Sequence, residues 1–129
     1  MEAIHLLIRY GAKTDNLKGF LIWPMGRGDI EVTREFIRLG SPIDDANLWN
    51  ESIRGTQDQM IPMCQLLLEA GLDVNVSIHY YGSPLLRAIH YQSLELVKLF
   101  LDNGADIMVH DPDSGLTPYE LAITQLNKK

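Results

Sequence analysis

Four glycines recur along the chain at intervals of about 30 residues, and each follows a similar apolar segment. Gly11, Gly40, Gly71 and Gly104 are separated by 29, 31 and 33 residues. A repeating period of this length is typical of proteins built from stacked units, because one small unit cannot bury its apolar face alone. The period therefore constrains the fold more than any other feature of the sequence.

Apolar residues three or four positions apart precede each glycine, and this spacing places them on one face of a helix. A glycine just after such a stripe adopts the left-handed conformation that ends many helices. Each period is therefore predicted to contain a helix that stops at the glycine. The four stripes are Ile4/Leu7/Ile8, Val32/Phe36/Ile37, Cys64/Leu67/Leu68 and Val97/Phe100/Leu101.

A second helix is predicted before the later stripes. The segment "SPLLRAIHY", residues 83–91, begins with Ser83 in the position of an N-cap. The segment "TPYELAITQL", residues 117–126, repeats this opening, and Glu120 is placed to form a capping box with Thr117. Each unit is thus predicted to run as helix, turn, helix, glycine stop and polar loop.

These motifs resemble the ankyrin repeat family. Residues 82–107, "GSPLLRAIHYQSLELVKLFLDNGADI", have the family's Ser-Pro-Leu opening, its central alanine at Ala88 and its Gly-Ala-Asp ending. Residues 114–123 resemble the first half of another repeat, and residues 63–75 resemble the second half of one. The resemblance implies an all-α ankyrin-repeat solenoid of stacked antiparallel helix pairs in a single domain, 1–129. We expect a half repeat, about three repeats and a final half repeat, with units at roughly 1–16, 17–46, 47–77, 78–110 and 111–129.

Parts of the chain depart from the family pattern. Pro24 stands about where the central alanine belongs, and it should distort or shorten that inner helix. Residues 46–63 are the most divergent. The first outer helix begins at Met1 with no inner helix before it. Two alternatives stay open: the chain is a fragment of a longer protein, or it opens on an outer helix that acts as a cap.

The charge of the chain is uneven and narrows the classes of partner. Net charge is −6, and residues 1–40 hold 6 Lys/Arg against 5 Asp/Glu, whereas residues 41–127 hold 3 against 12. An acidic field repels phosphate backbones and anionic lipids, so neither nucleic acid nor a membrane is expected as a partner. If the field selects a protein, that protein is neutral or basic. A single cysteine fits a reducing compartment, so we expect a cytoplasmic location. We also expect the chain to be monomeric on its own.

Catalytic and metal-binding motifs are sparse. The sequence has no Gly-x-Ser-x-Gly, no phosphate-binding glycine-rich loop and no His-Glu-x-x-His, so we expect neither an enzyme nor a cofactor. Cys64 lies in an apolar stripe and is predicted to be a core residue. The Arg-Gly-Asp string at 27–29 is predicted to be a turn followed by an N-cap. A divalent-metal site using His79, His110 and Asp111 remains a rival interpretation.

The aromatic segment "IHYYG", residues 78–82, is the strongest candidate for a contact surface, because a loop is an unexpected place for exposed aromatic residues. The family resemblance implies partner binding through the loop tips and the adjoining inner-helix surface. Tyrosine and tryptophan often contribute much of the energy of an interface, and an acidic rim suits a basic partner. For Tyr81 and Trp49 the alternative is packing between repeats. The predicted partner-binding residues are His79, Tyr80, Tyr81, His90, Tyr91, Trp49, Asp44, Asp45, His110, Asp111 and Asp113.

The sequence as a whole predicts a non-catalytic protein–protein interaction module. One alternative is an inhibitor or immunity-type protein that neutralises a basic protein, and another is a scaffold or targeting segment of a larger protein. The segment "LLEAGLDVN", residues 67–75, resembles the sites where some eukaryotic ankyrin proteins are hydroxylated on an asparagine, which is Asn75 here. The competing interpretation of Asn75 is a side chain that hydrogen-bonds the loop backbone.

Overall fold

The chain forms a row of helix pairs. The computed structural model describes residues 2–13, 19–43, 45–78 and 82–126. Within these ranges there are helices but no strand, and a single isolated antiparallel bridge joins Ile78 to Gly82. The helices are α1 Glu2–Arg9, α2 Ile22–Gly26, α3 Ile30–Arg38, α4 Asn47–Ser52, α5 Gln57–Glu69, α6 Pro84–His90, α7 Leu94–Asp102 and α8 Pro118–Leu126.

Each helix packs mainly on its neighbours in the row. The pairs α2–α3, α4–α5 and α6–α7 each form one hairpin, in which the first helix is the inner and the second the outer. Inner helices also pack on the next inner helix, as α2 does on α4 and α6 on α8, and the outer helices α3, α5 and α7 pack in series. The predicted all-α solenoid is confirmed. The helices fall inside the predicted units, whose bounds stay a prediction.

Serine side chains begin two consecutive helices in the same way. The Ser83 hydroxyl accepts a hydrogen bond from the backbone N–H of Leu86 at 3.3 Å, and the Ser93 hydroxyl accepts one from Leu96 at 3.2 Å. Each bond satisfies an N–H group that has no partner within its helix. The predicted cap at Ser83 is confirmed.

The Arg-Gly-Asp string has the predicted local role. Gly28 has a φ of +70° in the turn between α2 and α3, and the Asp29 carboxylate accepts from the Val32 N–H at 3.1 Å. Asp29 is therefore the N-cap of α3. Pro24 lies within α2, which is only five residues long, as expected from the missing N–H of proline.

The glycine stops also take their predicted conformation. The four recurring glycines have φ between +87° and +102°. After α7, the Gly104 N–H donates to the Leu101 carbonyl at 3.1 Å, and the Ala105 N–H donates to Phe100 at 3.0 Å. This pair of bonds satisfies carbonyl groups at the end of the helix, and a left-handed residue is needed to make it.

Trp49 links two successive repeats. Its side chain is fully buried, its ring meets the Phe100 ring edge-on with centroids 5.3 Å apart, and its Nε1–H donates to the Asp73 carbonyl at 2.8 Å. Trp49 is on inner helix α4 and Phe100 on outer helix α7 of the next pair. The prediction that Trp49 extends an exposed contact surface is wrong. The alternative of packing between repeats, with the indole N–H satisfied locally, is confirmed.

Cys64 is a core residue, as its sequence position predicts. The side chain is fully buried in α5, and its thiol lies 3.5 Å from the Ser52 hydroxyl. Burial raises the pKa of the thiol to about 12, because a thiolate would lose its hydration. A thiol with so high a pKa is a poor nucleophile at neutral pH.

Helix α1 is attached to α3 by polar contacts. The His5 Nε2 lies 2.6 Å from the Glu35 carboxylate, which also pairs with Arg38 one turn further along α3. Hydrogen bonds from Arg38 and then from His5 lower the pKa of Glu35 to about 2.

Replacing Trp49 should test the packing between repeats. Trp49→Ala should lower the free energy of unfolding by ~3–5 kcal/mol, because it leaves a cavity between two repeats and removes an indole hydrogen bond. Trp23→Ala is the matched control: Trp23 is 68% exposed, so its loss should change stability by no more than about 0.5 kcal/mol. Urea denaturation in dilute solution measures both. Equal losses would contradict the assignment of Trp49 to the core.

Candidate partner-binding surface

Two neighbouring loops form one edge of the stack. In the first, the Gly82 N–H donates to the Ile78 carbonyl at 3.0 Å, and the Ile78 N–H donates back to Gly82 at 2.6 Å. These bonds bring residues 78 and 82 together just before α6. The predicted residues His79, Tyr80 and Tyr81 lie outside the described residues.

The second loop, residues 111–116, closes on Asp111. The Asp111 N–H donates to the Leu116 carbonyl at 2.8 Å, and the Gly115 N–H donates to the Asp111 carbonyl at 2.8 Å. The Ser114 hydroxyl donates to the Asp111 carboxylate at 2.7 Å. A loop with this many internal bonds presents its side chains in a fixed arrangement. The capping box that follows is confirmed, because the Thr117 N–H donates to Glu120 at 3.1 Å.

Gly82 lets the two loops touch. It has a φ of +76°, and a Cβ at this position would lie 2.9 Å from Cδ of Pro112 and 2.8 Å from Cδ1 of Leu86. Such distances are too short for any side chain, so the backbone of the first loop lies directly against the proline of the second. The first loop and the 111–116 loop therefore hold each other in place.

His90 joins the inner helix to the second loop. Its Nε2 lies 3.8 Å from an Asp111 carboxylate oxygen, and the two form an ion pair when the imidazole is protonated. Asp111 is buried, because the loop closes around its carboxylate. Burial raises the pKa of Asp111, but the bonds from Ser114 and the nearby His90 outweigh it, and the net shift is downward.

Tyr91 is an exposed aromatic residue that follows His90 directly in the sequence. Its side chain is 42% exposed, and the Arg87 guanidinium carbon lies 5.4 Å from the centre of its ring, which is within cation–π range. The sequence analysis missed Arg87. Its position four residues before Tyr91 on the same helix was the available signal, since residues i and i+4 lie on one face.

Among the described residues, no hydrogen bond or ion pair connects the remaining predicted site residues to the His90–Asp111 contact. His110 and Asp113 are exposed and flank Asp111 in the sequence. Asp45 is exposed near α4, and its carboxylate accepts from the Asn47 N–H at 2.9 Å within its own turn. Asp44 lies outside the described residues.

Asn75 has a structural role between loops of adjacent repeats. Its amide donates to the Gly104 carbonyl at 3.1 Å, and its side-chain oxygen accepts from the Asp106 N–H at 2.8 Å. The interpretation of Asn75 as a side chain that bonds the loop backbone is confirmed. Whether Asn75 is modified stays open, since these contacts explain the residue without modification.

Within the described ranges no cluster of three or more His, Cys, Asp or Glu side chains is placed to hold a metal ion. His79 lies outside them, so the rival pairing of His79 with His110 is untested. Nor does any helix in the described part of the chain have the length and apolarity needed to cross a membrane.

Comparison with known proteins agrees with the stacked helix pairs. Residues 67–122 match the family model of ankyrin repeats (many copies). A 60-residue stretch, 46% of this chain, is 43% identical to an ankyrin repeat protein of fowlpox virus (strain NVSL). A 79-residue stretch, 61% of this chain, is 29% identical to the ankyrin repeat, SAM and basic leucine zipper domain-containing protein 1 of Microcebus murinus.

Residues 67–122 are thus similar to ankyrin repeats, as the sequence motifs indicate, and the relatives that match the chain contain ankyrin repeats. Ankyrin repeats are generally protein–protein interaction modules and are typically without catalytic activity. The aligned part of the chain spans 23% of the fowlpox virus protein and 16% of the Microcebus murinus protein.

Replacing Gly82 should loosen the contact between the two loops. Gly82→Ala should cost ~1–3 kcal/mol in steric overlap with Pro112, in addition to the strain of a positive φ. Gly104→Ala is the matched control, because Gly104 has a φ of +87° but open space around it, so only the strain of ~1–3 kcal/mol applies. Thermal or urea unfolding gives the two values. A Gly82 variant no less stable than the Gly104 variant would show that the loops are not in contact.

Proposed function

We propose that this chain is a non-catalytic protein-binding module and that it contacts its partner through a loop–helix surface. This surface consists of Arg87, His90 and Tyr91 at the end of α6, together with the 111–116 loop. The observation that carries the proposal is the contact of His90 with Asp111, 3.8 Å apart, beside an exposed tyrosine. An aromatic residue and charged groups gathered at one edge match the composition of interface hot spots.

Preorganisation supports binding at this surface. The 111–116 loop is closed by its own hydrogen bonds and lies against Gly82, and α6 is capped at Ser83. Side chains on such a support lose little conformational entropy when a partner docks. Few further interactions are then needed for a specific complex.

The chemistry of the surface favours a partner with a basic group beside an apolar one. Tyr91 offers an apolar ring face, and Asp113 offers an exposed carboxylate close by in the loop. Lysine and arginine side chains pair well with both, since their stems are apolar and their ends are charged. We include His79, Tyr80, Tyr81 and His110 in the proposed surface because they adjoin it in the sequence. Asp44 and Asp45 would extend its acidic rim.

A narrower form of the proposal is that the chain neutralises a basic protein. It is favoured by the excess of acidic residues over 41–127, which are 12 against 3 basic ones. The scaffold alternative and the cytoplasmic location remain predictions. Salt separates the inhibitor hypothesis from the others, since attraction between opposite charges weakens as ionic strength rises.

Capture experiments with tyrosine variants test the surface. The purified chain is used to capture partners from an extract of the source organism, and the captured protein is then titrated with each variant. Tyr91→Ala should weaken its affinity about tenfold or more, the effect of removing an interface hot spot. Tyr119→Ala is the matched control, because Tyr119 is an exposed tyrosine on α8 that is not one of the residues of the loop–helix surface.

Three outcomes decide the interpretation. Loss of affinity with Tyr91→Ala alone, at unchanged melting temperature, supports the proposal. Equal affinity for wild type and Tyr91→Ala contradicts it. An affinity that does not change with salt leaves binding intact and removes the electrostatic case for an inhibitor of a basic protein.

A further inference from the structure

The outer helix α7 is followed by an asparagine–glycine pair, Asn103 and Gly104. Of the six asparagines in the sequence, Asn103 is the one that precedes a glycine. An asparagine can cyclise when the nitrogen of the next residue attacks its side-chain carbonyl carbon, and a glycine has no side chain to obstruct that approach. Asn103 and Gly104 are both exposed, and a Cβ at Gly104 would meet nothing within 4 Å. The pair is therefore reactive by type and accessible to water.

Asn103 faces the preceding outer helix. It lines a cavity of about 310 Å³ together with Gln65 and Leu68 of α5 and Leu99 of α7. Its surroundings therefore come from two outer helices that both lie within the described row.

The folded backbone keeps the reacting atoms of the pair apart. Asn103 has a φ of −102° and a ψ of 17°, so the Gly104 nitrogen nearly eclipses the Asn103 nitrogen and faces away from the Asn103 Cβ. The Asn103 amide donates to the Leu99 carbonyl at 2.8 Å, which directs the side chain back along the helix. The Gly104 N–H donates to the Leu101 carbonyl at 3.1 Å. Both reacting groups are thus held by α7 in an unreactive geometry.

Asn75 of the preceding repeat restrains the segment after Asn103. Its amide donates to the Gly104 carbonyl at 3.1 Å, and its side-chain oxygen accepts from the Asp106 N–H at 2.8 Å. A rotation of ψ at Asn103 that brings the Gly104 nitrogen toward the side chain also moves the Gly104 carbonyl away from Asn75. Asn75 therefore restrains the dihedral angle on which cyclisation depends.

We propose that Asn103 is a modification site, which deamidates when the end of α7 opens, and that the contacts of Asn75 control how often it opens. In the open state the Gly104 nitrogen gives up its proton to the solvent and attacks Cγ of Asn103. A new N–C bond forms, and the side-chain nitrogen takes up a proton and leaves as ammonia. Water then opens the succinimide ring at either carbonyl, so the product is aspartate or isoaspartate.

Either product changes the end of α7 permanently. The amide donor to the Leu99 carbonyl is lost, and a carboxylate takes its place beside the negative end of the helix dipole, where a negative charge is unfavourable. Isoaspartate also adds a carbon atom to the main chain, so the hydrogen bonds from Gly104 and Ala105 lose their register with the helix end. A deamidated chain should therefore open more readily at this position. None of these residues belongs to the loop–helix surface, so the inference is independent of the proposed function.

Deamidation rates in the folded and the unfolded chain test the inference. The purified full chain is incubated at mildly alkaline pH with or without guanidinium chloride, and tandem mass spectrometry of digests measures the converted fraction of Asn103. Asn75→Ala removes the restraint and leaves both reacting residues unchanged. Asp29→Ala is the matched control, because it also removes a hydrogen bond at a helix end, the N-cap of α3, in a different helix pair. Circular dichroism verifies that each variant is folded.

Asn103 should react at least about tenfold more slowly in the folded wild type than in the unfolded chain, since the reaction requires local opening. Folded Asn75→Ala should react several-fold faster than the folded wild type, and Asp29→Ala should react at the wild-type rate. If Asn75→Ala does not fold, Asn75→Asp replaces it with the same expected result, because its carboxylate still accepts from Asp106 but cannot donate to Gly104.

Four results would overturn the inference. The first is an equal rate in the folded and the unfolded wild type, and the second is an unfolded chain that does not react at Asn103. The third is a folded Asn75 variant that reacts at the wild-type rate. The fourth is an Asp29→Ala variant accelerated as much as the Asn75 variant, which would show that the reaction follows the stability of the whole chain.

Discussion

Burial of apolar side chains between successive helix pairs is the interaction on which the rest of the structure depends. Trp49 shows it most clearly, because its ring packs on Phe100 of the next pair and its N–H bonds the Asp73 carbonyl. No helix pair of this size encloses such a ring alone. The core is therefore a continuous seam along the row, and every unit is stabilised by its neighbours.

The loop–helix surface is a consequence of this stacking. His90 meets Asp111 only because α6 and the following loop belong to adjacent units at a fixed spacing. Gly82 and Pro112 bring two loops into contact for the same reason. The surface proposed for partner binding therefore depends on the same packing that forms the core.

Much of the fold could be predicted because local signals repeat with the period of the structure. The glycine stops, the cap at Ser83 and the shortening of α2 by Pro24 are all local effects of backbone geometry. Burial of single side chains was harder. Trp49 was assigned to the surface because an aromatic residue suits both an interface and a core, and only packing from the next repeat decides between them.

The charged residues of the site were predictable by type but not by environment. Asp111 was predicted as a site residue, but its burial was not, because Ser114 and the loop backbone enclose its carboxylate through contacts that the sequence does not specify. Native-state hydrogen exchange tests the central claim, that stability is distributed along the row, most directly. The account predicts opening free energies that are highest in α5 to α7 and fall toward α1 and α8. One common value for all the described helices would indicate a single cooperative core and would contradict it.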